Sequence, residues 1–318
     1  MRTIPILFTF DDKLVLAAGV CITSLLENAA PDTFYDIFIL HSPACHFEET
    51  LLPRIPEHYQ NCRITFRKVE GEFNGAYEIR GIPETAYYRL LAPELIPEYD
   101  KILYSDVDVI FREDMGRYYD IDLGDNYFGG VDNGVRLRDD MIPYVKSLGL
   151  DPDKGYFYSG NLVINSALQR KDGMPDKFRE MAKKDYYDQD MAIINLACNG
   201  RILPLGPSYC LTNNLYNLIV YQRTKMEAAY GKEEIEHALK SGIVHYNGAK
   251  PWIKACMNMD VWWYYYRKSI FFDEKFCRDF WDREAYLLEG VSLSKRIKML
   301  LRYPIDRKNL KYERDLLG

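Results

Sequence analysis

Short apolar runs and helical patterns alternate through the first hundred residues, and this alternation restricts the fold more than any other feature of the chain. The runs Ile4–Phe10, Ile37–His41 and Ile64–Val69 read as strands, while Leu14–Leu26 and residues 46–60 between them carry helical spacing. Strands separated by helices of this length imply a parallel sheet with crossover helices, and ligands on such sheets bind at the carboxyl ends of the strands. Asp11 and Asp12 come directly after the first run, and Asp106 and Asp108 fall at or just past the end of a later one.

A helical patch at Glu84–Leu91 precedes a further strand at Lys101–Phe111, after which short strands (Phe128–Val131, Asn161–Ile164) mix with helical pieces at 176–184 and 190–198. The expected architecture is therefore α/β, with a mixed sheet flanked by helices. Near residue 255 the composition changes: MNMDVWWYYYRKSIFF concentrates aromatic residues, and from there to the C-terminus the chain reads as helical without strand alternation. Two parts are expected, an α/β domain over 1–255 and a helical appendage over 256–318. With 318 residues, 47% of them hydrophobic, the chain is long enough to bury a core and enclose a ligand cleft.

The charge balance narrows the partners. Lys and Arg total 41 against 47 Asp and Glu, a net of −6, which argues against binding nucleic acid and means that handling phosphates would require a metal ion. The opening MRTIPILFTFDDKL lacks the length of a signal peptide, and no stretch reaches about 18 uncharged apolar residues, so no membrane span is expected. Seven cysteines, odd in number and never spaced C-x-x-C, point to reduced thiols and a cytoplasmic protein. Residues 291–318 carry a net of +5. Leu293, Ile297, Leu300 and Leu301 take helical spacing there, with Lys295, Arg296, Lys298 and Arg302 on the other faces. That pattern suits either a helix lying on an anionic membrane surface or one docked on the core with a solvated basic face.

Three segments carry chemistry. In Leu103-Tyr-Ser-Asp106-Val107-Asp108-Val, read as a strand, the two aspartates project to one side among apolar neighbours, and such paired anions demand a cation, either an arginine or a divalent metal. Oxygen ligands with room for water and phosphate suit Mg²⁺ or Mn²⁺. In His245-Tyr-Asn-Gly248-Ala-Lys250, the imidazole can ligate a metal, the glycine admits a phosphate close to the backbone, and the lysine can hold a diphosphate oxygen. Asp188-Gln189-Asp190 opens a helix, where acids are favoured by the dipole and Asp188 suits an N-cap, so an ordinary structural explanation is also good.

Taken together these segments resemble glycosyltransferase family 8, which includes glycogenin and bacterial lipopolysaccharide galactosyl- and glucosyltransferases. Asp11-Asp12, Ala86-Tyr-Tyr-Arg89-Leu, Leu103-Tyr-Ser-Asp106-Val-Asp108, Phe157-Tyr-Ser-Gly160-Asn-Leu-Val-Ile-Asn165, Asp188-Gln189-Asp190 and His245-Tyr-Asn-Gly-Ala-Lys-Pro-Trp252 occur in the family's order, over about residues 3–255. The resemblance implies a GT-A fold, a UDP-sugar donor such as UDP-glucose or UDP-galactose, Mn²⁺ (or Mg²⁺), and transfer with retention to a saccharide or lipid-linked saccharide in cell-surface glycan or lipopolysaccharide synthesis. By the same resemblance Asp106, Asp108 and His245 would ligate the metal, and Gly248 and Lys250 would hold the diphosphate. Thr9, Asp11, Asp12 and Val107 would lie along the donor, with Asp11 at the uracil. Arg89, Asp132, Ser159, Gly160 and Asp188 would surround the donor sugar, and Gln189 would sit beside the anomeric carbon.

A glutamine is a poor nucleophile, so front-face departure of UDP is the simpler expectation, with Asp188 or Asp190 as the alternative transient nucleophile. The chain departs from the family at Lys13 and Leu14, where Asn and Tyr are usual, and at Tyr158, where an asparagine is usual. Two other readings compete. A sugar nucleotidyltransferase would want a glycine-rich basic loop after the first strand, which Phe10-Asp-Asp-Lys13 does not supply. A non-catalytic nucleotide-sugar- or carbohydrate-binding relative is opposed by the intact acidic and basic residues.

Overall fold

A computed structural model describes residues 2–301 apart from 74, 79–83, 139, 296, 299 and 300. The three expected strands of the first hundred residues are β1 (Arg2–Thr9), β2 (Thr33–His41) and β3 (Cys62–Lys68). Nearly every residue of β1 and β2 is buried, as befits parallel strands covered on both faces. The remaining strands are β4 (Lys101–Ser105), β5 (Val109–Phe111), β6 (Phe128–Asp132), β7 (Phe157–Asn165), β8 (Ile202–Leu205), β9 (Leu211–Thr212) and β10 (Ile243–His245).

Seven of them build the main sheet in the order β3-β2-β1-β4-β7-β6-β8. β1 is parallel to β2 and β4, β2 is parallel to β3, and β7 runs antiparallel between β4 and β6. The sheet is thus mixed, as expected. A second sheet, β5-β10-β9, stands beside it.

The Lys101–Phe111 run is not one strand. β4 belongs to the main sheet and β5 to the second, and Asp106-Val107-Asp108 is the turn between them. Its backbone is tied to both sides: the Asp106 amide donates to the Gly160 carbonyl of β7 at 2.7 Å, and the Tyr246 amide, just past β10, donates to the Asp108 carbonyl at 2.9 Å. Periodicity cannot detect such a break, because both halves are apolar. The 46–60 segment also differs from a continuous helix, resolving into 3₁₀ turns at Phe47–Glu49 and Leu52–Arg54 and a short helix at Ile55–His58. Pro53 and Pro56 each remove an amide that a longer helix would need.

The helix Val15–Glu27 lies between the sheets and the aromatic segment. Val20 on this helix, Ile110 of β5 and Val244 of β10 share one cluster with Trp262, Trp263 and Tyr266. Trp262 stacks on Tyr266 at 5.1 Å, and the helix Met259–Lys268 that carries them is followed by a helix at Glu274–Glu289. A Cβ on Gly19 would lie 2.3 Å from the Phe271 ring, so the close approach of this segment requires a glycine there. Residue 255 falls in the connection between β10 and Met259–Lys268. Of the basic tail, Leu293, Ile297 and Leu301 are exposed, while Arg296, Leu300 and 302–318 lie outside the described residues. All seven cysteines are free thiols. Among the described residues no helix is long and apolar enough to cross a membrane.

Candidate active site

The carboxyl ends of β1 and β4, the β4–β5 turn, β7 and β10 open onto one cleft of about 750 Å³. The turn brings Asp106 and Asp108 to the end of β10, where His245 waits. One ligand atom from each of the three lies within 4.8 Å of the others. The His245 Nε2 is 3.3 Å from Asp108 Oδ1 and 3.7 Å from Asp106 Oδ2, and Lys250 is hydrogen-bonded to Asp108 Oδ2. Burial alone would push the Asp108 carboxyl up. The charges and hydrogen bonds of His245 and Lys250 outweigh that and hold it well below the usual carboxylate range. At His245 burial works toward a low value, but Asp108, followed by Cys210, raises the imidazole well above its ordinary one.

This donor set fits a divalent cation: two hard carboxylates and an imidazole converge on one point. The space is kept by Gly160, since a Cβ there would sit 2.3 Å from His245 Cε1 and 2.7 Å from Asp106 Oδ2. Asp106 is oriented from behind. Its Oδ1 accepts the Tyr104 hydroxyl at 2.6 Å and lies 3.0 Å from the Arg89 guanidinium, which leaves Oδ2 facing His245. Thr9 Oγ1 is 3.2 Å from the same Tyr104 hydroxyl.

Arg89 links this cluster to the second acidic segment. It is buried, packs over the Tyr104 ring at 4.3 Å, donates to the carbonyls of Ala86 and Ser159, and places Nε 3.3 Å from Asp190 Oδ2. Burial disfavours its charge, yet Asp106 and then Asp190 hold its pKa above the ordinary arginine value. Burial raises the Asp190 carboxyl, opposed by Arg89 and by the Ser159 hydroxyl. Gln189 opens the helix Gln189–Ala197 with φ +44°, a left-handed conformation unusual for a residue with a side chain. Its Nε2 donates to the Tyr77 carbonyl at 2.9 Å. The Asp188 side chain makes no capping bond, and its Oδ2 accepts the Tyr156 hydroxyl at 3.3 Å.

Thirteen of the sixteen residues singled out from sequence line this cleft: Thr9, Asp11, Arg89, Asp106, Val107, Asp108, Ser159, Gly160, Asp188, Gln189, Asp190, His245 and Lys250. Asp12, Asp132 and Gly248 lie off it. Asp12 accepts the His46 amide at 3.1 Å, and Asp132 accepts the Tyr156 amide at 2.8 Å while its neighbour Asn133 reaches the cleft. Gly248 faces Asn213, whose amide nitrogen would be 2.7 Å from a Cβ at that position. Lys13 and Leu14, the departures after β1, both line the cleft.

Two supporting residues escaped the sequence reading. Cys210 Sγ lies 3.4 Å from His245 Nδ1, and nothing in the sequence connects residues so far apart. Tyr104, by contrast, sits two residues before Asp106 in an apolar strand, which is a usable signal that both share a face.

Comparison with known proteins agrees with this geometry. The sequence model of Glycosyl transferase family 8 matches residues 5–256. Glycosyltransferase GlyF of Streptococcus pneumoniae is 25% identical over 312 residues, 94% of this chain and 71% of GlyF. Probable galacturonosyltransferase 13 of Arabidopsis thaliana is 23% identical over 187 residues, 53% of this chain but only 33% of that protein. The crystal structure of the galactosyltransferase LgtC in complex with donor and acceptor sugar analogues matches with a TM-score of 0.69 at 25% identity, over 86% of this chain and 98% of LgtC.

Proposed function

The chain belongs to glycosyl transferase family 8, and we propose that it is a Mn²⁺-dependent retaining hexosyltransferase that moves glucose or galactose from a UDP-sugar to a saccharide or lipid-linked saccharide of the cell surface, such as lipopolysaccharide. The observation that carries this reading is the convergence of Asp106, Asp108, His245 and Lys250 at the strand ends of one cleft. A divalent cation held by the first three supplies positive charge where the diphosphate leaves.

The chain's own residues do the rest. Lys250 adds a second positive charge beside that point, and Arg89 keeps Asp106 oriented. Gln189 presents a carboxamide rather than a carboxylate, which favours attack by the acceptor hydroxyl on the face that UDP leaves, with the departing phosphate taking the proton.

UDP release by the purified protein, measured across a panel of UDP-sugars with Mn²⁺, Mg²⁺ or EDTA, tests the reading without a known acceptor. Mn²⁺-dependent release from UDP-glucose or UDP-galactose is expected. Absence of both turnover and donor-induced thermal stabilisation would favour a non-catalytic relative. The free cysteines suit a reducing compartment such as the cytoplasm. The +5 tail suits peripheral contact with an anionic membrane bearing the acceptor. Removing 291–318 should abolish binding to anionic vesicles and leave donor hydrolysis intact; undiminished vesicle binding would eliminate that role.

A further inference from the structure

We propose that Tyr158 determines sugar specificity, its phenol serving as a fixed neutral hydrogen-bond donor in the cleft wall for one oxygen of a bound sugar. The inference rests on the reading of the cleft as a saccharide site. It starts from two donors that meet at the phenol oxygen: Thr212 Oγ1 at 3.1 Å and Asn214 Nδ2 at 3.3 Å.

The direction of each bond is set by its surroundings. Thr212 caps the helix Asn213–Tyr221, its Oγ1 accepting the Leu215 amide at 3.3 Å and donating its own proton to the Tyr158 oxygen. An amide nitrogen can only donate. The two lone pairs of the phenol are then filled, and its own proton must go to an acceptor elsewhere. Among the described residues no protein group takes it.

Tyr158 and Asn214 both line the cleft, while Tyr158 as a whole is 7% exposed and packed in the core. The hydroxyl is therefore held in place and cannot swing toward solvent to find a partner. Burial pushes it up to about 12, so it remains a donor throughout the working pH range. A fixed neutral donor distinguishes sugars by where an oxygen stands rather than by charge. A sugar lacking that oxygen leaves the buried O–H unmatched and binds more weakly.

The test pairs Tyr158→Phe with deoxy sugars. UDP-glucose, UDP-galactose and their single-deoxy analogues are titrated calorimetrically with Mn²⁺ present, and glucose, galactose and lactose with their deoxy forms are assayed as acceptors. Wild type should lose about tenfold in binding or KM when one particular hydroxyl is removed, and Tyr158→Phe should bind the parent sugar about tenfold more weakly while ignoring that same deletion. Indifference in the donor series assigns the oxygen to the donor hexose; indifference in the acceptor series assigns it to the acceptor.

Because the readout is a ratio within one protein, a general loss of stability does not imitate it. Tyr158→Phe combined with Asn214→Ala removes one of the donors left stranded, keeps the Thr212 cap and gives the same readout should the single variant not fold. A wild type that binds donor, together with a variant that keeps full discrimination in both series, overturns the role of Tyr158 alone. A wild type that binds no UDP-sugar overturns the reading of the cleft and this proposal with it.

Discussion

The cleft contains the pattern Asp-x-Asp twice, at Asp106–Asp108 and at Asp188–Asp190, and the two copies behave in opposite ways. The first lies in the turn between two sheets, so its carboxylates converge and both face His245. The second lies at a helix start, where the chain's rotation parts them: Asp188 accepts the Tyr156 hydroxyl and Asp190 turns to Arg89. Their protonation follows their surroundings, with Asp108 held low by His245 and Lys250 against the pull of burial and Asp190 raised by burial. Identical spelling therefore produces a converging pair suited to a cation in one place and a buried, arginine-matched acid in the other. What separates them is the element beneath, which decides whether residues two apart meet.

The contrast is broken most directly at Asp108. Asp108→Ala should lower UDP release on the order of a thousandfold and abolish its response to Mn²⁺, because the cation loses a ligand while His245 and Lys250 lose their shared counter-charge. Retention of full metal-dependent turnover would show that the converging pair is not the metal site. Arg89 is the residue both copies share, touching Asp106 and Asp190 at 3.0 and 3.3 Å. Arg89→Ala leaves these carboxylates without their arginine and should cost about 3–5 kcal/mol in urea unfolding. A loss below about 1 kcal/mol would mean that the two acidic segments are compensated independently.

The sequence carried much of this, unevenly. The βαβαβ alternation was legible because β1 to β3 are separated by segments long enough to register as distinct patterns. The three candidate metal ligands were legible because their chemistry is exacting: Asp, Asp and His near strand ends have few uses. The reason they meet was not. A continuous strand would also have put Asp106 and Asp108 on one face, so the prediction of pairing survived although its geometry was wrong, and the switch of sheets at Val107 left no periodic trace. The partnership of Arg89 with Asp190 depends on a packing contact between segments a hundred residues apart. At Asp132 the end of β6 turns one carboxylate oxygen to the Tyr156 amide, a contact that the residue type alone does not announce.

The smallest effect sharpens the comparison at its second member. A carboxyl whose pKa is raised by folding binds its proton more tightly in the native state than in the unfolded chain. Its contribution to stability is complete below the ordinary carboxylate range and is lost as pH rises through the native value. Asp190 is such a group, with burial as the main cause. Asp190→Asn keeps the shape and removes the titration, so wild type should lose stability relative to the variant as pH rises from the ordinary carboxylate range through the raised native value. Denaturant unfolding of both proteins at several pH values gives the difference directly. A difference that stays constant with pH would mean that the Arg89 charge balances burial at Asp190, and one that grows in favour of wild type would mean that it outweighs burial there; either outcome overturns the contrast with Asp108.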